Sequence, residues 1–464
     1  MNARSGPRDA RIAAGFLVGA QMLAAGGAVA VNLLAAFVLS PSGRGDLAFG
    51  LQLAYFFSVF ALMGLERPFI AARSGRFGTE YSVFVRMAAP GALCILPIVF
   101  LATMVSPFST SWLWMGVLAV AGYTTLNSLV HALRVAYVCS REWKWFAANA
   151  AATQLIIVVG AGLLVLLRVD DPVMWMWIYA ASALPAVAML FLAPSSRKRE
   201  APTRAETRGL RRRGWMLLLS DFSNTAMLRS DRLLLPMLSS SAALGLYVTV
   251  ATVLEMATWP VQQWVDASLR SWSKSFSSSP PRILRLIARS ILLLMFFASL
   301  LAAAAFAMIE FVLPASYQPA TSVIIPLAVS AVVFGVTRVQ QGLLIALDSP
   351  GRVSIVEIIG TGASVLAYVA LIPPLGMLGA VYGSIIGYSA CVAVGGIALI
   401  QVSRKRPTSA VVDECDEDAR ICVPPAEAEA KVCVPPAAAD TEARTESELA
   451  MSDAGCQHPE QMRK

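Results

Sequence analysis

Polar and ionisable side chains recur inside the apolar runs of this sequence, at spacings that put them on single helix faces. The run at 215–238 has polar positions at i, i+3, i+4, i+8 and i+11, which form one stripe at about 100° per residue: Asp221, Asn224, Thr225, Arg229 and Arg232. The run at 112–137 has a similar stripe: Tyr123, Thr124, Asn127, Ser128, His131 and Arg134. A charge inside a membrane span costs roughly 2.5–3.5 kcal/mol, so these stripes predict helices that share a polar cavity.

Other runs contribute further polar residues to the predicted cavity: Gln21, Asn32, Arg86, Glu255, Gln262, Asp266, Arg338 and Gln341. Glu255, Asp266 and His131 are candidates to take up a coupling proton or cation. The alternative interpretation makes the two carboxylates ion-pair partners of nearby arginines and His131 a hydrogen-bonded packing residue. Both interpretations stay open at this point.

The elements that carry these residues are predicted to be membrane-spanning helices. Of the 464 residues 57% are hydrophobic and 14% are charged, against about 25% charged in soluble proteins, and the mean hydropathy is +0.65. A bilayer core needs roughly 20 apolar helical residues. Twelve runs of about that length occur: 13–39, 47–71, 83–105, 112–137, 146–167, 173–193, 215–238, 243–267, 290–313, 322–346, 353–373 and 376–401. We therefore expect an all-α, polytopic membrane protein and not a soluble enzyme.

Charge is unevenly distributed along the chain. The first 406 residues carry 32 Lys+Arg against 16 Asp+Glu, and the remainder carry 5 against 13. Placing both termini in the cytoplasm leaves only Arg44 and Arg168 in outside connections, as the positive-inside rule favours. The predicted units are an N-terminal six-helix bundle (1–195), a basic cytoplasmic linker (196–214), a C-terminal six-helix bundle (215–403) and an acidic, disordered cytoplasmic tail (404–464).

The sequence lacks the motifs typical of metal sites, disulfide frameworks, nucleotide binding and nucleic-acid binding. Seven cysteines and two histidines show no metal-ligand spacing, which predicts neither a metal site nor a disulfide framework. There is no Walker-type phosphate loop, and we expect no bound cofactor. The basic residues are dispersed between apolar runs, so nucleic acid is not an expected partner. The outside connections are short, which opposes an external catalytic domain.

Turn motifs at corresponding places in the two halves resemble a known family. The first half has Ser40-Pro41-Ser42-Gly43-Arg44-Gly45-Asp46, the second has Leu244-Gly245-Leu246-Tyr247, and Gly45 and Gly245 are 200 residues apart. The last spans contain Leu344-Ile-Ala-Leu-Asp348-Ser-Pro-Gly351-Arg352 and Leu371-Ile-Pro-Pro-Leu-Gly376. Over residues 13–402 the order and spacing are similar to bacterial polysaccharide transporters, the O-antigen flippase-like members of the multidrug/oligosaccharidyl-lipid/polysaccharide flippase superfamily.

The resemblance implies both a fold and a function. The fold would be two six-helix bundles forming a V around a central cavity. The function would be export of an oligosaccharide linked to undecaprenyl pyrophosphate across the cytoplasmic membrane, for surface polysaccharide synthesis. Membrane lipids and other polysaccharide-assembly proteins would be its partners.

Arginine suits the pyrophosphate of such a substrate, because its planar guanidinium gives paired hydrogen bonds and keeps its charge. The predicted pyrophosphate ligands are Arg229, Arg232 and Arg338, followed by Arg86 and Arg134. Asn127, Asn224 and Gln341 are predicted to bind the substrate as well. The alternatives are that Arg229 and Arg232 pair with Asp231 or reach the interface, that Arg338 pairs with Glu357, and that Arg86 and Arg134 are interfacial anchors.

Two other functions compete with a flippase. A drug/cation antiporter of the same superfamily should have more acidic than basic groups in its cavity. A membrane glycosyltransferase, polymerase or ligase of envelope assembly would need a catalytic loop.

Overall fold

The computed structural model describes residues 7–104, 113–192, 204–278 and 283–405, which form helices and short connections without any β-strand. The first helices, in chain order, are α1 (Pro7–Val38), α2 (Pro41–Ala61), α3 (Glu66–Ala72), α4 (Phe77–Met104), α5 (Leu113–Ser140), α6 (Trp143–Leu166), α7 (Pro172–Ala181) and α8 (Leu184–Leu192). The others are α9 (Arg204–Leu238), α10 (Ser241–Glu255), α11 (Trp259–Ser278), α12 (Ile283–Phe311), α13 (Ile324–Ala346), α14 (Pro350–Leu375) and α15 (Met377–Lys405). The segments Met256–Thr258 and Ala315–Val323 are 3₁₀ helices.

These helices account for the predicted membrane spans. Within the described ranges, nine helical segments are long and apolar enough to cross a membrane, and the bent pair α2–α3 makes a tenth. The other two predicted spans fall on α1, whose described apolar part is Met22–Val38, and on α9, which carries several charges. The prediction of an all-α polytopic membrane protein is confirmed. The predicted tail lies outside the described residues from position 406 onward.

Two helices, α6 and α12, bury little of their apolar surface. Only 11% of the apolar window of α6 and 17% of that of α12 is buried. Large apolar side chains such as Leu166, Leu292 and Phe311 are correspondingly exposed. A soluble protein rarely leaves such wide apolar patches in water, so these faces are built for acyl chains.

The predicted second span is bent by 46° between α2 and α3. Met63 and Gly64 both have positive φ angles there, 51° and 62°. A side chain on Gly64 would also overlap the carbonyl oxygen of Gly214 in α9. The bend therefore depends on a residue without Cβ, both for its backbone conformation and for its approach to α9.

The starts of α2 and α10 meet at one end of the membrane part, which we call the outer end after the predicted orientation; the opposite end is the inner end. Each helix has a serine N-cap, because the side chains of Ser40 and Ser240 accept hydrogen bonds from the amides three residues later at 3.2 Å. Five residues after each cap stands a glycine, Gly45 or Gly245. A Cβ on either glycine would overlap a backbone carbonyl of the other helix. The two motifs that are 200 residues apart in sequence are thus in direct contact.

The hydrophobic core is joined at the outer end and divided at the inner end. One cluster includes Leu47 of α2, Leu244 of α10 and Tyr317, whose hydroxyl donates to the carbonyl of Leu39 at 3.0 Å. Towards the inner end, one separate cluster lies among α9 and α11–α15 and another among α2–α5 and α8. The second of these includes Leu210 of α9, so this helix packs against the first half although it opens the second. The predicted linker 196–214 overlaps α9, which begins at Arg204.

Candidate functional site

A polar cavity lies where α1, α2, α7, α9 and α10 converge, between the first and second halves of the sequence. Its volume is about 210 Å³. One water needs roughly 10–15 Å³ of such space, and drug-sized ligands occupy pockets of roughly 300 Å³ or more. The polar side chains that line it are Asn32, Arg44, Gln52, Tyr55, Tyr179, Arg229, Arg232, Thr252 and Glu255.

Arg232 is the most deeply buried of the predicted ligands. Its side chain is 4% exposed, and its guanidinium pairs with the carboxylate of Glu255, which is 52% exposed. Asp231 has other partners, since it accepts hydrogen bonds from the Tyr247 hydroxyl and from the backbone amide of Arg232 at 2.8 Å. Arg232 of α9 is therefore paired with Glu255 of α10, and not with Asp231 as the alternative interpretation had it.

Arg229 lies one helical turn from Arg232 and reaches across to α2. Its Nη1 donates to Gln52 Oε1 at 3.0 Å, and its guanidinium lies 5.6 Å from the ring centroid of Tyr55. Both partners are neutral. The positive charge of Arg229 is therefore oriented but not cancelled by them.

Arg44 is a cavity residue that the sequence analysis placed in an outside connection. Instead it lies in the first turn of α2, is 5% exposed, and donates to the side chain of Asn32. Asn32 in turn donates to the carbonyl of Thr249 at 3.2 Å, which ties α2 to α1 and α10.

A Ser followed by Pro is a helix-start signal, and Ser40-Pro41 would have moved the start of the second span from 47 to 41.

The cavity is suited to an anion. Three guanidinium groups and one carboxylate line it among the described residues, which leaves net positive charge. The Nε atoms of Arg44 and Arg232 are buried and have no hydrogen-bond partner in the described structure. The net positive charge favours a ligand with several charged oxygens, because charge-assisted hydrogen bonds are stronger than neutral ones.

Arg338 lies beside a different cavity, of about 190 Å³, between α11 and α13. It donates to Asn224 at 2.7 Å and to Gln341 at 3.0 Å, and its Nη1 is 3.9 Å from Glu357. Three residues predicted as ligands, Arg338, Asn224 and Gln341, are thus brought together. They are not grouped with Arg229 and Arg232, and the predicted alternative partner Glu357 is close by.

Gln262 lines the second cavity, whereas Arg86, Arg134, Asn127 and His131 line neither of the two. Arg86 and Arg134 are exposed, and Asn127 is buried in α5. His131 Nδ1 is 2.7 Å from Glu66 Oε1, so this part of the α5 stripe faces α3. The backbone of Asp266 is in α11, and its side chain lies outside the described residues. Ligand or coupling roles for these residues stay predictions.

Comparisons with known proteins identify the fold. No family model and no curated protein matches the chain. Among solved structures, the chain is similar to the lipid II flippase MurJ in an inward closed conformation, with a TM-score of 0.59 and 11% identity over 84% of this chain and 89% of that one. It is also similar to a multidrug resistance MATE transporter of the MOP superfamily in an inward-facing conformation, with a TM-score of 0.50 and 12% identity over 82% and 95%. The protein therefore has the fold of these membrane transporters, and at such identities the likeness concerns the fold alone.

Proposed function

We propose that this protein is a flippase that moves a polyprenyl-pyrophosphate-linked oligosaccharide across the cytoplasmic membrane by alternating access, for surface polysaccharide synthesis. The observation that carries the proposal is the convergence of Arg44, Arg229 and Arg232 in one cavity between the two halves. The pyrophosphate would bind these arginines while the polyprenyl tail stays in lipid. The two six-helix halves, 1–195 and 215–403, would rock about the cavity, with both termini in the cytoplasm.

The size of the cavity supports binding of the headgroup in a closed state. About 210 Å³ holds a group the size of a diphosphate and is too small for an attached glycan. The halves would therefore have to separate before the sugar passes. The divided core at the inner end, set against the joined core at the outer end, favours first opening towards the cytoplasm.

The charge of the cavity favours this substrate over that of a drug/cation antiporter. A cationic drug would gain from carboxylates and would be repelled by three arginines. Glu255 is the only acidic residue among the described lining residues, and it is already paired with Arg232. The antiporter is the function that the experiment must separate from the flippase, because the fold is common to both.

A strain that lacks the gene for this protein provides the decisive test. We expect it to lose surface polysaccharide and to accumulate lipid-linked oligosaccharide whose sugars are protected from glycan-cleaving reagents added outside. Purified protein in liposomes should restore reagent access to a polyprenyl-pyrophosphate-linked sugar. Normal glycan together with altered drug susceptibility would overturn the proposal in favour of the antiporter. Loss of the lipid-linked precursor itself would instead indicate an enzyme of envelope assembly.

Replacing Arg44 tests the ligand that the sequence analysis missed. We expect Arg44→Ala to weaken pyrophosphate binding by about 10- to 100-fold, because a hydrogen bond to a charged group is worth about 1.5–3 kcal/mol. Isothermal titration with inorganic pyrophosphate would measure this. Arg289→Ala, which removes an exposed arginine from α12, is the matched control. Equal affinity in the Arg44 variant and the control would remove Arg44 from the site.

A further inference from the structure

The side chain of Glu255 is not used by the turn that follows it. It is the last residue of α10, directly before the 3₁₀ turn Met256–Thr258, and its backbone carbonyl accepts a hydrogen bond from Thr258 Oγ1 at 2.8 Å. These backbone contacts would form with any side chain at position 255. The carboxylate itself is 52% exposed and is directed to the buried guanidinium of Arg232.

The three arginines of the cavity differ in how they are partnered. Arg229 is held by the amide of Gln52, and Arg44 by the amide of Asn32. Only Arg232 is paired with a carboxylate within the described lining of the cavity. One of the three cationic positions is therefore already occupied by a negative charge that belongs to the protein.

A carboxylate and a phosphate compete for the same guanidinium, because both present oxygen pairs to its planar fork. We propose that Glu255 is a resident counter-anion, which occupies Arg232 in the empty cavity and is displaced by the phosphate of the substrate. When the substrate leaves, the carboxylate returns to Arg232. The inference rests on the proposed use of this cavity for an anionic headgroup, and it assigns Glu255 a role in release.

The asymmetry of burial explains why Glu255 is the partner that moves. Arg232 is 4% exposed, so its side chain is enclosed by the surrounding helices. Glu255 is half exposed, and it can withdraw into the water of the cavity with little desolvation cost. Leaving the guanidinium of Arg232 without its carboxylate would be costly, so the phosphate of the substrate takes the place of Glu255 as it withdraws. This limits the affinity, as a transporter that must release its cargo requires.

The test is the affinity of the purified full-length protein for inorganic pyrophosphate, measured by titration calorimetry in nanodiscs. We expect Glu255→Gln to bind about tenfold more tightly than wild type, because a like-charge competitor is removed while the side-chain size is kept. Glu255→Asp keeps the charge and should stay near the wild-type value. Glu310→Gln removes an exposed carboxylate of α12, which accepts a hydrogen bond from Gln318 at 3.2 Å, and serves as the matched control.

The sign of the change separates this role from a merely structural one. If Glu255 only orients Arg232, the Gln variant will bind pyrophosphate more weakly, and the inference is overturned. Unchanged affinity overturns it as well. Thermal unfolding will show whether wild type and Glu255→Gln are folded. If both are folded and neither binds pyrophosphate, the cavity is not an anion site, and the proposed function falls together with the inference. Slower release of lipid-linked substrate from the Gln variant in liposomes would further support it.

Discussion

Arg232→Ala is expected to abolish export of lipid-linked oligosaccharide while leaving the protein inserted in the membrane. The substitution removes the most buried cation of the cavity and leaves the carboxylate of Glu255 facing the remaining arginines and the incoming phosphate. Losing a hydrogen bond to a charged group costs about 1.5–3 kcal/mol, and the unpaired carboxylate repels the phosphate, so pyrophosphate affinity should fall by at least about 30-fold. Binding of pyrophosphate and surface glycan in a complemented deletion strain measure the two effects.

Two further variants separate charge from geometry at this position. Arg232→Lys keeps the charge but loses the planar fork, so we expect it to restore only part of the binding. Arg232→Ala combined with Glu255→Gln removes the uncompensated carboxylate and should bind better than Arg232→Ala alone. Arg289→Ala controls for loss of an arginine elsewhere. Wild-type glycan export by Arg232→Ala would exclude Arg232 from the substrate site.

Gly245→Val is expected to force the outer ends of α2 and α10 apart. A Cβ at this position overlaps the Pro41 carbonyl, and the reciprocal position on the other helix, Gly45, is equally crowded. Backbone oxygens cannot rotate away as a side chain would, and overpacking of this kind typically costs about 1–3 kcal/mol. We expect the ratio of molecules with a closed outer end to molecules with an open outer end to fall by about one to two orders of magnitude.

Cysteine labelling measures this opening. In a background with all seven cysteines replaced, Thr249→Cys introduces a thiol at a fully buried position of α10. A membrane-impermeant maleimide added from outside should label it faster with Gly245→Val present. The control is Gly362→Val, because nothing lies within 4 Å of a Cβ at that glycine. Equal labelling rates and equal thermal stability in the two variants would show that the glycine contact does not keep the outer end closed.

The sequence was sufficient to predict the membrane helices and the polar face of α9, because both follow from local periodicity and run length. The start of α2 was misplaced by six residues, because the apolar run begins at Leu47 while the helix begins with the polar segment Pro41–Asp46. That displacement put Arg44 in a connection. The serine cap and the proline at the first helical position were visible and would have corrected it.

Most partners of the polar residues could not be predicted, because helical periodicity gives the face of a residue and not the neighbouring helix. Two were available only as alternatives, Glu357 beside Arg338 and an arginine beside Glu255. The α5 stripe is divided: Tyr123 donates to Tyr55 of the cavity lining at 3.3 Å, whereas His131 is paired with Glu66 of α3. Arg338 was grouped with Arg229 by residue type, although it lies beside another cavity. The glycine motifs 200 residues apart indicated that Gly45 and Gly245 occupy corresponding positions in the two halves. Their contact could not be predicted, because it depends on how the two halves pack against each other.

The path of α9 limits how the protein can be divided into fragments. Leu210, near the start of this helix, completes the inner hydrophobic cluster of α2–α5 and α8, whereas Met227 belongs to the cluster of α11–α15. A fragment ending before Arg204 would lack the part of its hydrophobic core that α9 supplies. The remaining fragment would begin with the apolar residues of α9 that pack against the first fragment. Fragment complementation should therefore succeed only when both pieces are produced together, which makes a simple fusion of two self-sufficient ancestral modules a poor description of this chain.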